Sequence, residues 1–243
     1  MRIIPLESFQ GDFSPDLATP GPIVCHAERD VLDGIPESAA SFIDLFADLL
    51  VVPSAASAQA AVRTVKDTPV TVIPPAFPDV TPFIEGNRPL KVGVIGARVK
   101  RSDPIVGAVF RVFGGNWYGT DDHWIKAFSG NRLDRSLATL YVAVIPSVEP
   151  YSYGAINHEA LNAMSAGCLV LAELFPGISD VLSPVEDCLT WKGESELEDL
   201  LRLARDRGEG SYANVMKAGH ERAKNWGRDE WTKRVRSEVL RLC

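Results

Sequence analysis

The sequence predicts an α/β fold, with parallel sheets joined by crossover helices and arranged in two unequal lobes. Three features predict it. Short runs rich in Val, Ile and Leu alternate with longer segments of helical period. Residues 74–89 hold five of the 17 prolines and carry no periodicity, which marks a break between lobes. From Glu194 onward the chain reads as helix alone.

In the first lobe, residues 1–78, strands are predicted at Pro22–His26, Leu49–Val52 and Val70–Ile73. Helices at Glu37–Phe46 and Ala55–Val65 fall between them, making about two βα units. Residues 79–89 form the linker. The second lobe, residues 90–243, opens with Leu90–Ile95, then Gly96, then a helix near Ile105–Val112: a strand, a glycine turn and a helix. Later strands are predicted at Ile125–Phe128, Tyr141–Ile145, Cys168–Ala172 and Cys188–Trp191. Three helices close the chain, Ser195–Arg207, Tyr212–Asn225 and Asp229–Leu242, with stops near Gly208 and Gly227.

Composition narrows the function classes. The 243 residues are 46% hydrophobic and 23% charged, enough to bury one large core or two small ones. A net charge of -7 and an isoelectric point of about 5.2 exclude a broad nucleic-acid-gripping face. Cys25, Cys168, Cys188 and Cys243 lie far apart without C-x2-C spacing, so no metal site and no redox pair is predicted. Cys168 and Cys188 read as buried strand residues. The start, Met-Arg-Ile-Ile-Pro, soon turns polar, unlike a signal peptide, and no run is long enough for a transmembrane segment. A cytoplasmic protein is expected.

The densest signal runs from Leu140 to Gly167. An apolar strand leads through Pro146-Ser147 and Val148–Tyr153 to Gly154, then to a helix over about Ala155–Ala166, closed by Gly167. In an open α/β sheet, ligands sit beyond the carboxyl ends of strands, where a helix N-terminus offers free N–H groups and partial positive charge to a phosphate. Gly154, Ala155 and Ile156 stand at that N-terminus. Ile156, Ala160, Ala163 and Gly167 recur at helical spacing, and small residues let the helix lie close to the sheet. Glu159 falls beside this stripe, one turn in. It is either a first-turn acid complementing the helix dipole or a ligand-binding group.

The run Pro146-Ser147-Val148-Glu149-Pro150, followed by Gly154-x4-Glu159-Ala160 and Ala163-Met164-Ser165-Ala166-Gly167-Cys168, resembles the donor-binding signature of GT-B glycosyltransferases, the retaining families typified by glycogen and sucrose-type synthases. Nine residues separate Glu149 from Glu159 where the family has seven. Leu174–Leu182 is similar to the family's glycine-isoleucine-x-glutamate loop, with Asp180 at the acid. Gly93–Arg101 resembles the first strand and loop of its donor domain, and Asp48–Ser54 and Val70–Pro75 resemble the last strands of its acceptor domain. The resemblance implies a GT-B-like fold with a Rossmann-type donor domain from Leu90 to about Asn225, a reduced N-terminal acceptor lobe, and a last helix that crosses back to it. It further implies that Glu159 binds the nucleotide ribose, that Glu149 contacts the donor sugar, and that Arg98 and Lys100, with Arg101 in reserve, meet the diphosphate. A leaving nucleotide diphosphate needs such fixed cations or N–H dipoles. No cofactor is implied; the nucleotide-diphosphate sugar is the donor substrate, taken without a metal.

Other candidates have plainer alternatives. His26 follows a strand and would sit at its carboxyl end facing the cleft, positioned to orient a sugar or acceptor hydroxyl, or it is a loop histidine without a role. Tyr153, like Tyr151, either stacks on a base or sugar ring or is half-buried. Gly114–Gly119 lacks G-x-G-x2-G spacing and reads as a packed turn. Lys217–Arg241 carries eight Lys or Arg against four Asp or Glu, the pattern of a solvated helix or of a surface that steers an anion. Two function classes stay open. One is a transferase moving a sugar, with retention, from a nucleotide-diphosphate donor to an unknown acceptor. The other is a degenerate, non-catalytic module that binds a nucleotide sugar or supports a partner chain. The reduced first lobe leaves room for a second subunit or a homo-oligomer.

Overall fold

The computed structural model describes residues 1–6, 20–27, 31, 33–74, 83, 88, 90–95, 102–114, 117–118, 137, 139–146, 158–174 and 178–242. The chain divides into two compact units. One gathers residues 1–76 with 228–243, the other residues 77–152 and 156–227. The last helix therefore groups with the first unit rather than with the residues that precede it.

The first unit is built on a parallel sheet in the order β1-β2-β3-β4, formed by Arg2–Pro5, Ile23–His26, Leu49–Val52 and Val70–Val72. β3 is apolar throughout, β2 is apolar up to its last residue, His26, and both are buried at every position, as expected of parallel strands covered on both faces. Their residues alternate between the faces. Ile23, Cys25, Leu50 and Val52 join Ala39, Ala40 and Ile43 of α1 (Glu37–Phe46) and Ala61 of α2 (Ala55–Ala61). Val24, Leu49, Val51 and Ile73 instead meet Trp231, Val235 and Val239 of the C-terminal helix, whose four-residue spacing makes one stripe.

β1 was not expected. Two isoleucines beside a proline are too short a run to announce a strand, yet Arg2–Pro5 pairs in register with Ile23–His26 at the sheet edge, where a proline is tolerated. The second helix is shorter than predicted. It ends at Ala61 because the N–H groups of Arg63 and Thr64 reach back only three residues, to Ala60 and Ala61, and β-branched Val62, Thr64 and Val65 resist another helical turn. Ser54 caps its start, its hydroxyl accepting from Ser57 N–H at 3.1 Å.

The second unit carries a five-stranded parallel sheet in the order β6-β5-β7-β8-β9. Its strands are Leu90–Val94 (β5), Trp117–Tyr118 (β6), Leu140–Ile145 (β7), Leu169–Glu173 (β8) and Leu189–Trp191 (β9). On one face Ala143, Ile145, Val170 and Ala172 pack with Ala160, Ala163 and Met164 of α4 (His158–Ser165) and with Ala223 of α6 (Ala213–Lys224). On the other, Val92, Val142, Val144 and Leu171 pack with Ile105, Val109 and Val112 of α3 (Ser102–Phe113) and with Leu197, Leu201 and Ala204 of α5 (Glu194–Arg207). The C-terminal helix, Arg228–Leu242, is α7. The strand predicted at Ile125–Phe128 lies outside the described residues. Within Gly114–Gly119, the expected turn proves to contain β6, an edge strand parallel to β5 that follows Gly114 at the end of α3.

Candidate functional site

The order of the second sheet selects one place in it. β5 is followed outward by β6 on one side, whereas β7 lies on the other side and leads on to β8 and β9. The connections therefore diverge between β5 and β7, the reversal at which doubly wound sheets bind ligands beyond their carboxyl ends. Pairing holds to the tip of these two strands: Val94 aligns with Val144, and Ile95 N–H donates to Val144 O at 2.9 Å. In the chain, residues 96–101 run from the end of β5 towards α3, and residues 146–157 run from the end of β7 towards α4.

Of the residues singled out in the sequence, Arg98 and Lys100 belong to the first of these segments, and Glu149, Tyr153, Gly154, Ala155 and Ile156 to the second; all seven lie outside the described residues. Glu159 is placed by its backbone as the second residue of α4. It precedes Ala160, 1% exposed, and stands one turn before Ala163, 0% exposed. The close seat of this helix on the sheet agrees with its stripe of small side chains.

The far end of α4 is fixed by a complete Schellman turn. Gly167 N–H donates to Met164 O at 2.8 Å and Cys168 N–H to Ala163 O at 2.9 Å. Gly167 has φ of 75°, and a Cβ there would stand 2.7 Å from the Phe83 ring and 2.8 Å from Arg88 Nη2, so only glycine fits. The loop after β8 includes a 3-10 turn, Ile178–Asp180, with Ile178, Val181 and Leu182 buried. The Asp180 side chain lies outside the described residues.

His26 is the last residue of β2 in the first unit, 7% exposed. Its ring meets Trp231 of α7 edge to face, with centroids 4.8 Å apart. Neither His26 Nε2 nor Trp231 Nε1 has a hydrogen-bond partner among the described residues. Burial lowers the His26 pKa from 6.5 to about 4, so the imidazole is neutral at physiological pH.

The described cysteines are buried, as expected for Cys168 and Cys188. Burial raises the Cys25 and Cys168 thiols to about 12, and the Cys188 thiol higher still. None supplies a thiolate near neutrality. Among the described residues no group of three His, Cys, Asp or Glu side chains assembles, and no helix is long and apolar enough to cross a membrane.

Sequence reading overlooked three side chains that organise these units. Trp231 looked like one aromatic in a basic helix. Asp187, 4% exposed, accepts from Ser183 N–H with both carboxylate oxygens and pairs with Arg222 Nε at 2.8 Å, tying the turn before β9 to α6. Arg88 sits in the proline-rich linker, where nothing in the pattern distinguishes a buried arginine from a solvated one, yet it is 2% exposed.

No family model matches the chain, and no curated protein matches it in sequence. Solved structures do. HepE from Anabaena, in complex with UDP and glucose, superposes with a TM-score of 0.64 at 12% identity, over 90% of this chain and 71% of that one. Sucrose-phosphate synthase from Thermosynechococcus elongatus gives 0.58 at 16% identity, over 92% and 68%. TarM gives 0.67 at 13% identity, over 99% of this chain and 54% of that one. The chain is shorter than all three and has the GT-B fold, as the sequence led us to expect.

Proposed function

We propose that the chain is a glycosyltransferase that takes a sugar from a nucleotide-diphosphate donor bound at the carboxyl ends of β5 and β7. The observation that carries this reading is a coincidence of two independent signals. The strand order reverses between β5 and β7, and the segments that continue those two strands are the ones that resemble the GT-B donor signature. HepE, one of the structural neighbours, holds UDP and glucose.

In this reading the N–H groups at Gly154, Ala155 and Ile156 face the diphosphate, and Arg98 and Lys100 neutralise the charge that grows as the sugar bond breaks. Glu159 accepts hydrogen bonds from the ribose hydroxyls, Tyr153 stacks on a ring of the donor, and Glu149 holds a sugar hydroxyl. The cations and N–H dipoles do the electrostatic work, so transfer proceeds without a metal, and with retention as in the families the motif resembles. His26, at the end of β2, would orient an acceptor hydroxyl by accepting a hydrogen bond at its neutral Nε2, since a pKa lowered to about 4 makes it a weak base. A second subunit would complete the acceptor side, and the cytoplasm, where nucleotide sugars are made, is the expected compartment.

The displaced Glu149 favours one alternative. With two more residues between the glutamates than the family has, the sugar contact fails, and the chain binds a nucleotide sugar without transferring it. Incubation with UDP-, GDP- and ADP-sugars, following donor hydrolysis and nucleotide binding in the wild type and in Glu159→Ala, separates the readings. Turnover lost in Glu159→Ala supports transfer. Binding without turnover supports the module, and absence of binding to all three sinks the donor site.

A further inference from the structure

Arg88 is a cation in an unusual place. It is 2% exposed, on the segment that enters β5. One nitrogen, Nη1, donates to Leu140 O at 2.9 Å and to Ala166 O at 3.1 Å. Its Nε stands 3.3 Å from Glu209 Oε1, and its backbone N–H donates to Glu209 Oε2 at 3.4 Å. Leu140 is the first residue of β7, and Ala166 is the cap residue at the carboxyl end of α4. A single guanidinium therefore ties the start of the strand to the end of the helix that between them bracket residues 146–157.

The chemistry suits the place. Ala166 O is one of the helix-terminal carbonyls that lack a partner within the helix, and a cation there complements the negative end of the dipole. The planar guanidinium can serve two carbonyls and a carboxylate at fixed angles, which an ammonium cannot. Gly167 is the complement of this arrangement: a side chain there would collide with Arg88 Nη2 and the Phe83 ring. The backbone thus gives way so that the arginine reaches the helix end.

We propose that Arg88 is a positioning residue for the donor site, resting on the reading given above. It touches no substrate, since it acts at the amino end of the sheet and the donor binds at the carboxyl end. It acts through α4. That helix has eight residues, about 12 Å of rigid rod at 1.5 Å per residue. Ala160, Leu161, Ala163 and Met164 seat it on the sheet, and a close-packed rod passes a shift at its carboxyl end on to its first turn. Arg88 sets how far along β7 the rod stands, and so the height of its first turn, with Glu159, above the strand tip.

The test uses the full chain, kept cold, with UDP, GDP and ADP as calorimetric probes and with circular dichroism and thermal melting alongside. Arg88→Met is expected to weaken binding of whichever nucleotide the wild type takes by about tenfold, the equivalent of one lost hydrogen bond at the displaced first turn of α4. Native secondary structure should persist. Arg88→Lys should recover part of the affinity and Glu209→Gln should lose part of it. Unchanged affinity in folded Arg88→Met with only a lower melting temperature would overturn the proposal, because a merely structural arginine behaves that way. If Arg88→Met does not fold, unchanged affinity in both Arg88→Lys and Glu209→Gln overturns it instead. A wild type that binds none of the three nucleotides removes the donor site itself; binding by wild type and variants alike removes only the role of Arg88.

Discussion

The two sheets are both parallel, yet they are wound differently. In the first, each strand is laid on the same side of the last, β1 to β4, and right-handed crossovers made in one direction put every helix on one face. α1 and α2 obey, and cover only the face built from Cys25, Leu50 and Val52. The opposite face, with Val24, Leu49 and Val51, is covered by α7 from the far end of the sequence. In the second sheet the order reverses after β6, so α3 and α4 fall on opposite faces, and that sheet is covered on both sides from within residues 77–227. Reversal lets residues 77–227 cover both faces of their own sheet and marks the strand tips proposed above as the donor site, whereas the described residues of 1–76 cover one face and take the other cover from α7.

Removal of α7 tests this contrast most severely. Truncation after Gly227 should expose the face of Val24, Leu49, Val51 and Ile73 and remove the burial of Trp231, Val235 and Val239. At about 1.5–3 kcal/mol per large apolar side chain, the loss is on the order of 6 kcal/mol, comparable with the whole stability of a small domain. Limited proteolysis should then cut within residues 1–76 while residues 77–227 stay protected. Protection of both units after truncation would break the comparison.

Acid should also act on the first unit before the second. His26 has its pKa lowered from 6.5 to about 4 by burial, with Trp231 against its ring. A depressed folded pKa means that stability is complete above the unfolded value near 6.5 and is lost as pH falls towards 4, because the unfolded chain takes up the proton first. The total amounts to roughly 3 kcal/mol at most. Melting followed by hydrogen exchange from pH 7 down to 4.5 should show β2 and α7 loosening, and His26→Phe should flatten that slope. An unchanged slope in the variant would assign the acid sensitivity elsewhere.

How much of this was legible in the sequence follows from the same contrast. Periodicity located Leu49–Val52 and Glu37–Phe46 to the residue, and placed the boundaries of β7, α5, α6 and α7 within one residue, because each is a continuous buried run or a stripe with a clear stop. β1 was missed because a four-residue edge strand is defined by its partner, not by its own composition. The helix α4 was legible from its small residues and from Gly167. The residues that hold it, Arg88 and Phe83, were not, because burial of an arginine depends on carbonyls that sequence does not display. The partner of the second face of the first sheet was legible only through the family resemblance, which implies a last helix that crosses back, since nothing in Trp231, Val235 and Val239 themselves says which of two sheets they cover.

In the second unit the turn before β9 offers a finer test. Asp187→Asn keeps the shape of the side chain but removes the charge that pairs with Arg222 and accepts from Ser183 N–H. Arg222 is partly exposed, so solvent screens the loss, and about 2 kcal/mol is expected, less than for a fully buried pair. Chemical denaturation should register this in residues 77–227 and leave the first unit unaffected, if the units are as independent as their cores imply.

The smallest effect should be of opposite sign. Val185, in the same turn, has φ of 78°, a left-handed conformation that a β-branched residue adopts at a cost of about 1–2 kcal/mol. Its side chain is 73% exposed, so packing does not repay the strain. What holds it is the backbone: Val185 N–H donates to Cys188 O at 2.7 Å, while Asp187 fixes Ser183. Val185→Gly removes the steric cost and gives back part of it as chain entropy, whereas Val185→Asn tolerates the conformation without that entropic penalty. Both should stabilise the second unit by about 1 kcal/mol, with asparagine at least equal to glycine, raising its melting temperature by about 2–4 °C. A neutral or destabilising result in both variants would mean that the exposed valine is held by a contact worth more than its strain.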